Sequence, residues 1–448
     1  MKINKSEIKD IENTLLGNKR KKNIFAGFKW IIFKLTSLLF LIFFRCIEIL
    51  ISSIVLCSLG LIVFTLLVIR KLFTGKGVFL KVNIIGLKSR KNVIFYFNCK
   101  NYIVKNISLF FYVITNKLSI VGVSIKIYDN VKRVAGDSYL YNNKPGIFNL
   151  WYIRQSARVT YEGQFSADWE YVFRSSLIVD LLIMLKSIPA FFYYFDPSMC
   201  RPKVNLFDLE FDNLTMVDAI NKLEKTIESK EKKKVYFVNP DCLNKIFEDS
   251  DYFKVLKNGD YIFPDGIGVN IACKLLKDPL LENINGTDML PFICDLSIMK
   301  SYSIFLLGGK PGIGDRMKCN LQTKYKGLKI VGVQDGYFDK EKENNCVIDR
   351  INSSGADILL VAFGAPVQEK WINEYSEFIN AQIQMGVGGL FDFFSGKNKR
   401  APKWMREVGI EWIFRIMQEP KRLWKRYVIG NPVFLYRVLK WKFSRYRN

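Results

Sequence analysis

The residue in this chain best suited to chemistry is a single carboxylate. In Tyr261-Ile-Phe-Pro-Asp-Gly-Ile-Gly-Val-Asn270 an apolar run enters Pro264-Asp265-Gly266, and a glycine-containing turn then opens a helix-like segment. That order puts Asp265 at the C-terminal end of a strand, where open α/β sheets bind their ligands. The chain contains no histidine. Proton abstraction near neutral pH therefore falls to a carboxylate, a thiol or a tyrosine, and Asp265 is the best-placed base. The nine cysteines are scattered without CxxC pairs. With neither imidazole nor metal-ligand spacing, no zinc or other metal is expected, and free thiols fit a reducing cytoplasm.

Other motifs are weaker alone. Gly308-Gly309-Lys310-Pro311-Gly312 follows an apolar run, so its backbone N–H groups could meet a diphosphate, or it is a simple tight turn. Gly364-Ala-Pro-Val-Gln-Glu-Lys-Trp371 sets Gln368 at the start of a helix on the same sheet edge, either as an amide contacting a sugar or base or as a cap. Asp249-Ser-Asp251 has the D-x-D form of a metal site but lies in a polar helical stretch, and it reads as a solvated face.

The elements that must position these residues begin near Val204. Helix-like Met216–Lys230 precedes runs at Lys234–Val238, Gly259–Phe263, Ser303–Leu307, Lys329–Val333, Asp357–Ala362 and Gln382–Val387. Most of these runs end in a glycine-containing turn and a helical segment, the signature of an α/β, Rossmann-like parallel sheet. Upstream, residues 75–200 mix β-like runs, Val93–Phe97 and Ser119–Tyr128, with an apolar helix at Leu177–Phe192; Pro202 and the residues after it read as a linker.

Composition adds a membrane. A net charge of +25 calls for an anionic partner, and 15% aromatic content beside a long apolar run favours lipid over nucleic acid. Residues 1–23 form a basic tail without the features of a cleavable signal. Ile49–Ile69 carries no charge and is long enough to span a bilayer; Phe28–Phe44 is apolar apart from Lys29 and Lys34. Basic clusters flank both ends of residues 24–74, which predicts a hairpin or re-entrant element, with a single span plus an interfacial helix as the alternative. From Pro420 to Asn448 there are nine Lys/Arg, no acid and seven aromatics, a composition for interfacial helices on anionic lipid.

Residues 204–448 resemble the WecG/TagA/CpsF glycosyltransferases, glycosyltransferase family 26. The resemblance rests on Pro264-Asp-Gly-Ile-Gly268, Asn285-Gly-Thr-Asp288, Phe305-Leu-Leu-Gly-Gly-Lys-Pro-Gly312, Asp335-Gly-Tyr-Phe338, Gly364 to Trp371, Gly386-Val-Gly-Gly389 with Phe391-Asp392, Arg400-Ala-Pro402 and Gln418-Glu-Pro420. It implies an inverting enzyme at the inner membrane face, without a cofactor. Such an enzyme moves a sugar, often N-acetylmannosamine or its uronic acid, from a UDP-sugar to a polyprenyl-diphosphate-linked saccharide. By the same resemblance Asp265 is the base, and Asn239, Thr287, Asp288, Gly308, Gly309 and Gln368 contact substrate. Arg415, Arg422, Lys425 and Arg437, in a basic appendage of residues 403–448, close over the site. The family's usual threonine is Phe237 here.

Residues 45–190 resemble the bacterial sugar transferases, through Lys117-Leu-Ser-Ile-Val-Gly122, Lys144-Pro-Gly-Ile147, Leu150-Trp151 and Asp168-x-x-Tyr171 with Ser176 and Asp180. The family's Asp-Glu pair aligns with Lys105-Asn106, its Gly-Pro-Arg-Pro motif has become Gly122-Val-Ser-Ile125, and its Lys-Phe-Arg run aligns near Tyr96-Phe-Asn98. A covalent phosphoglycosyl transfer needs a carboxylate nucleophile and cations. The expectation is therefore a catalytically inactive half over residues 75–200, acting as anchor or lipid platform, joined to a working transferase core over 204–402. It would sit on the cytoplasmic side of a bacterial inner membrane and work beside other glycan-assembly enzymes. A bifunctional enzyme and a non-catalytic scaffold are the rival readings, and nucleic acid is not an expected partner.

Overall fold

The structure, a computed structural model, describes residues 39, 42–99, 102–128, 140–159, 162–193 and 200–445. The basic tail and most of Phe28–Phe44 lie outside the described residues. The chain forms two compact units that divide between Ile147 and Phe148.

In the first unit, α1 (Ile42–Thr74) is one continuous helix, by length and composition able to cross a membrane. Within the described residues it makes no hairpin. The segment has no proline, and at Leu56–Gly60 the helix widens into a π turn while Gly60 keeps helical φ/ψ of −63° and −43°. Arg45 pairs with Glu48 and donates to Val113 O, and Glu48 accepts the Ile120 N–H at 2.9 Å. Further along, Leu67 packs against Phe97 and Ile107. Strands β1 (Phe79–Ile85) and β2 (Lys91–Phe97) form an antiparallel hairpin, followed by α2 (Tyr102–Ile107) and α3 (Phe110–Ile114). Lys105 and Asn106 lie on α2; the Lys105 ammonium sits 5.0 Å over the Tyr96 ring and Asn106 is buried.

The run Ser119–Tyr128 is not one strand. Only β3 (Ser119–Val121) pairs, with the equally short β4 (Gly146–Phe148); Val123 and Ile127 then make isolated bridges to Pro145 and Ile84. Pro145, at the entry to β4, has no N–H with which to extend the ladder.

The second unit opens with α4 (Leu150–Ser156), α5 (Gly163–Arg174) and α6 (Leu177–Tyr193). The expected linker after Pro202 is instead a hairpin, β5 (Lys203–Leu206) with β6 (Leu209–Asp212). Its polar residues alternate with Val204, Leu206, Leu209 and Phe211, which are all buried. That period of two is what a half-buried strand needs.

The body of this unit is a six-stranded sheet in the order β10-β9-β11-β12-β7-β8, and every adjacent pair is parallel. The strands are β7 (Lys233–Val238), β8 (Tyr261–Pro264), β9 (Ser303–Gly308), β10 (Lys329–Gln334), β11 (Ile358–Ala362) and β12 (Ile383–Gly386). They read as unbroken apolar runs because both faces are covered. Tyr236, Val238, Phe305, Leu307, Leu359 and Val361 point into one core layer, and their neighbours Val235, Phe237, Ile304, Leu306, Ile358 and Leu360 into the other. Helices α8 (Pro240–Lys245), α9 (Ser250–Lys257), α10 (Ile267–Leu275), α13 (Asn344–Ser353) and α14 (Val367–Tyr375) cover the first layer. The second is covered by α7 (Met216–Glu228), α11 (Gly286–Lys300), α12 (Ile313–Lys324) and α15 (Leu390–Phe394).

The chain ends in α16 (Lys403–Glu407), α17 (Glu411–Gln418), α18 (Pro420–Trp424), a π turn at Lys425–Ile429, and α19 (Gly430–Arg445). Helix α16 is tied to α4–α6 by buried charge. Arg154, 1% exposed, donates from Nε to Glu407 at 3.0 Å and also pairs with Glu170, while Lys186 reaches Glu407 at 2.9 Å. Taking one carboxylate from such a group leaves cations buried without full compensation. Glu407→Ala should lower the unfolding free energy by about 3 kcal/mol, read from denaturant midpoints, whereas the exposed pair Lys254–Asp251 should tolerate Asp251→Ala within about 0.5 kcal/mol.

Candidate active site

Asp265 follows β8 directly, and its loop is pinned from both sides. The Asp265 N–H donates to Val238 O at 2.9 Å, the Gly266 N–H donates to Asn283 Oδ1 at 2.6 Å, and the Ile284 N–H donates to Pro264 O at 3.1 Å. Gly266 adopts φ 92°, ψ 154°, a region open essentially to glycine alone. The turn thus swings the Asp265 side chain off the strand end and into the crevice beside β7. There Asn239 ends β7 and caps α8, its Oδ1 accepting the N–H groups of Asp241 at 3.1 Å and Cys242 at 3.2 Å.

Two clefts meet at Asp265. The first also contacts Asn239, Thr287, Gln368, Arg415 and Arg422, and is strongly polar. The second runs past Gly266 and Asn283 to Asp288, Arg406 and Trp412. Asn239, Asp265, Arg415 and Arg426 border both.

Charge around Asp265 is finely opposed. Desolvation raises its pKa above the usual 3.8, Arg415 and Arg426 pull it down, Glu411 pushes it up, and a hydrogen bond from Asn239 pulls it down; the net direction is upward. Arg415, on α17, is held by Glu411 at 3.1 and 3.3 Å and lies 5.0 Å over the Phe393 ring. Arg422 pairs with Glu419, and Arg426 stands 3.7 Å from Asp241. Three guanidinium groups therefore face the cleft floor from the C-terminal helices.

Gln368 is bonded to protein at both ends of its amide. Its Oε1 accepts the N–H groups of Gly364 at 3.1 Å and Gly388 at 2.8 Å, and its Nε2 donates to Glu369 Oε1 at 2.7 Å. It joins the ends of β11 and β12 as a brace under the first cleft. Burial pushes the Glu369 carboxyl up to about 7. Thr287 lies in the first turn of α11 and borders the first cleft, while Asp288 borders the second, bound to Arg400 and Asn285.

Four of the expected contacts lie elsewhere. Gly308 and Gly309 end β9; the Gly309 N–H donates to Ala362 O at 3.0 Å, and a Cβ on Gly308 would come within 2.7 Å of the Ala362 backbone. Gly308 serves the close approach of β9 to β11, and Gly309 takes the turn after it at φ 74°. Lys425 lies over Trp424 at 5.9 Å, and Arg437 donates to Asn244 O at 2.8 Å and stacks on Phe247, fastening α19 to α8. The residue that faces the clefts in place of Lys425 is Arg426. Arg426 follows Arg422 by four residues, one helical turn on, whereas the resemblance pointed to Lys425. Asn283 and Glu411 were also not singled out by the sequence, since neither lies in a strand-end motif.

Residues 204–448 match the glycosyl transferase WecG/TagA/CpsF family, and residues 99–194 match the bacterial sugar transferase family. The chain belongs to the WecG/TagA/CpsF glycosyl transferase family. It is 34% identical over 236 residues to the N-acetylglucosaminyldiphosphoundecaprenol N-acetyl-beta-D-mannosaminyltransferase of Bacillus subtilis (strain 168), spanning 52% of this chain and 90% of that protein. It is 31% identical over 242 residues to the protein of the same name from Staphylococcus aureus (strain MRSA252), spanning 54% of this chain and 93% of that one.

With Asp265 as the base, the opposed charges around it would set a pH limb. A base works only when ionised, so activity would fall as pH drops through its pKa. Because that pKa is raised, the acidic limb of kcat/KM should lie above the ordinary aspartate range. Arg415→Gln removes a charge that lowers it, so the residual activity of that variant should lose its acidic limb at still higher pH, measured as a pH–rate profile against wild type.

Proposed function

We propose that this protein is an inverting glycosyltransferase that moves a hexose of the N-acetylmannosamine type from a UDP-sugar to a polyprenyl-diphosphate-linked saccharide, in the building of an envelope polysaccharide or related glycoconjugate. The observation that carries the reading is Asp265 at the junction of two clefts whose border includes Arg415 and Arg426. The relatives named above act on a diphosphoundecaprenol-linked N-acetylglucosamine, as their names state.

The chemistry follows from that placement. The donor lies in the polar cleft and the acceptor saccharide in the second. Asp265 takes the proton of the acceptor hydroxyl while its oxygen attacks the anomeric carbon from the face opposite the nucleotide. The bond from that carbon to the phosphate oxygen breaks, and UDP leaves with the electron pair. Arg415, Arg422 and Arg426 meet the charge that develops on the diphosphate, the task for which guanidinium groups are suited.

Residues 204–402 form the transferase core and 403–448 the basic appendage. The protein works at the cytoplasmic face of a bacterial inner membrane, with α1 and the basic appendage against anionic lipid. The first half is non-catalytic, because Lys105 and Asn106 occupy the place of a nucleophilic carboxylate pair. A separate enzyme therefore makes the lipid-linked acceptor.

A donor screen on a synthetic polyprenyl-diphosphate-N-acetylglucosamine acceptor, with products weighed by mass spectrometry, tests the assignment. Asp265→Asn should lower kcat by about 10²–10⁴-fold; wild-type turnover in that variant would remove Asp265 as the base. The same full-length variant, given UDP-sugars and polyprenyl phosphate, should release no UMP. UMP release would show a working phosphoglycosyl transferase in the first half.

A further inference from the structure

The second cleft has one wall outside the stretch that matches the WecG/TagA/CpsF family. Ala157 and Val159, in the turn that closes α4, border it opposite Ile267 and Trp412. This turn belongs to the stretch that matches the bacterial sugar transferases. We propose that the α4 turn, Ala157–Val159, is a specificity wall of the acceptor site, so that α4–α6 act as a built-in acceptor-recognition element of the glycosyltransferase. The inference rests on the function proposed above.

Three observations support it. The turn is bonded to the catalytic loop through one residue: the Asn283 N–H donates to Arg158 O at 3.0 Å, and Asn283 Oδ1 accepts the Gly266 N–H at 2.6 Å. The position of Asp265 and that of the α4 turn are thus fixed by the two ends of one side chain and its backbone. The helices behind the turn are clamped to α16, which leads through Gly409 to Trp412 across the cleft: Arg154 and Lys186 hold Glu407, and Lys403 holds Glu170 at 3.0 Å. The cleft lining is also two-sided in chemistry. Val159, Ile267 and Trp412 give apolar surface, and Arg406 and Arg426 give cations that face the carboxylates of Asp288 and Asp241 at 3.6 and 3.7 Å. That combination suits an amphipathic ligand, a saccharide diphosphate that continues into a hydrocarbon chain, whereas the polar first cleft suits a nucleotide sugar.

The test uses the full-length protein in detergent with a UDP-sugar and a polyprenyl-diphosphate-linked N-acetylglucosamine. Val159→Trp narrows the cleft, and Val159→Leu is the milder variant should the first fail to fold by thermal melting. The expected result is a rise in acceptor KM of about tenfold or more for Val159→Trp and a smaller rise for Val159→Leu. KM for the UDP-sugar and the slow hydrolysis of the donor by water should stay at wild-type values. Unchanged acceptor KM in a folded variant overturns the inference. So does a parallel loss of donor and acceptor parameters, which would mark Val159 as merely structural. Absence of transfer by the wild-type protein to any polyprenyl-diphosphate saccharide overturns the functional reading itself, and the two failures are told apart by the wild-type control.

Discussion

Asn283 and Val238 hold the Pro264-Asp265-Gly266 turn by its backbone, and the geometry of the site depends on that hold. A strand end carries free N–H and C=O groups that must find partners or water. Here they are taken by the neighbouring strand end on one side and by an asparagine side chain on the other. The carboxylate then projects into the crevice, where Asn239 hydrogen-bonds it. The same economy recurs at Gln368, which spans the ends of β11 and β12 through two backbone N–H groups. A side chain that borders the first cleft thus also serves as a brace for the loops that form it.

Electrostatics at the junction is a balance of terms with opposite sign. A carboxylate this deep is driven toward its neutral form, which would be useless as a base. The guanidinium groups of Arg415 and Arg426 pull it back toward ionisation, while Glu411 limits how far Arg415 can do so. The same two guanidinium groups border both clefts, so any anion bound there would compete with Asp265 for their field and raise its affinity for a proton.

The parallel sheet was legible in the sequence because its strands are buried on both faces and end in glycine-containing turns. Asp265, Asn239 and Gln368 were legible for the same reason: strand ends mark the ligand edge. What lay outside this logic was harder to read. Arg426 rather than Lys425 shares the cleft with Arg422, one helical turn away, and Asn283 matters through a backbone it bonds across the fold. The β5–β6 hairpin was hidden by its short strands and by Pro202 at its entrance. The place of α4–α6 beside the second cleft follows from long-range ion pairs such as Arg154–Glu407, whose partners lie too far apart in sequence for spacing to link them.

Helix α1 carries one more consequence, for how the first unit can meet lipid. Its Glu48 end is bonded to β3, and its Leu67 end packs on β2 and α2. Nineteen residues at about 1.5 Å each separate these anchors, close to the roughly 30 Å of a bilayer's hydrocarbon. Between and beyond them its apolar side chains are exposed around most of the helix, Leu50, Ile54, Leu59, Ile62, Leu66 and Leu72 among them. A helix long and apolar enough to cross a membrane is thus fastened at two points to the polar fold beside it, so that neither can be displaced without the other.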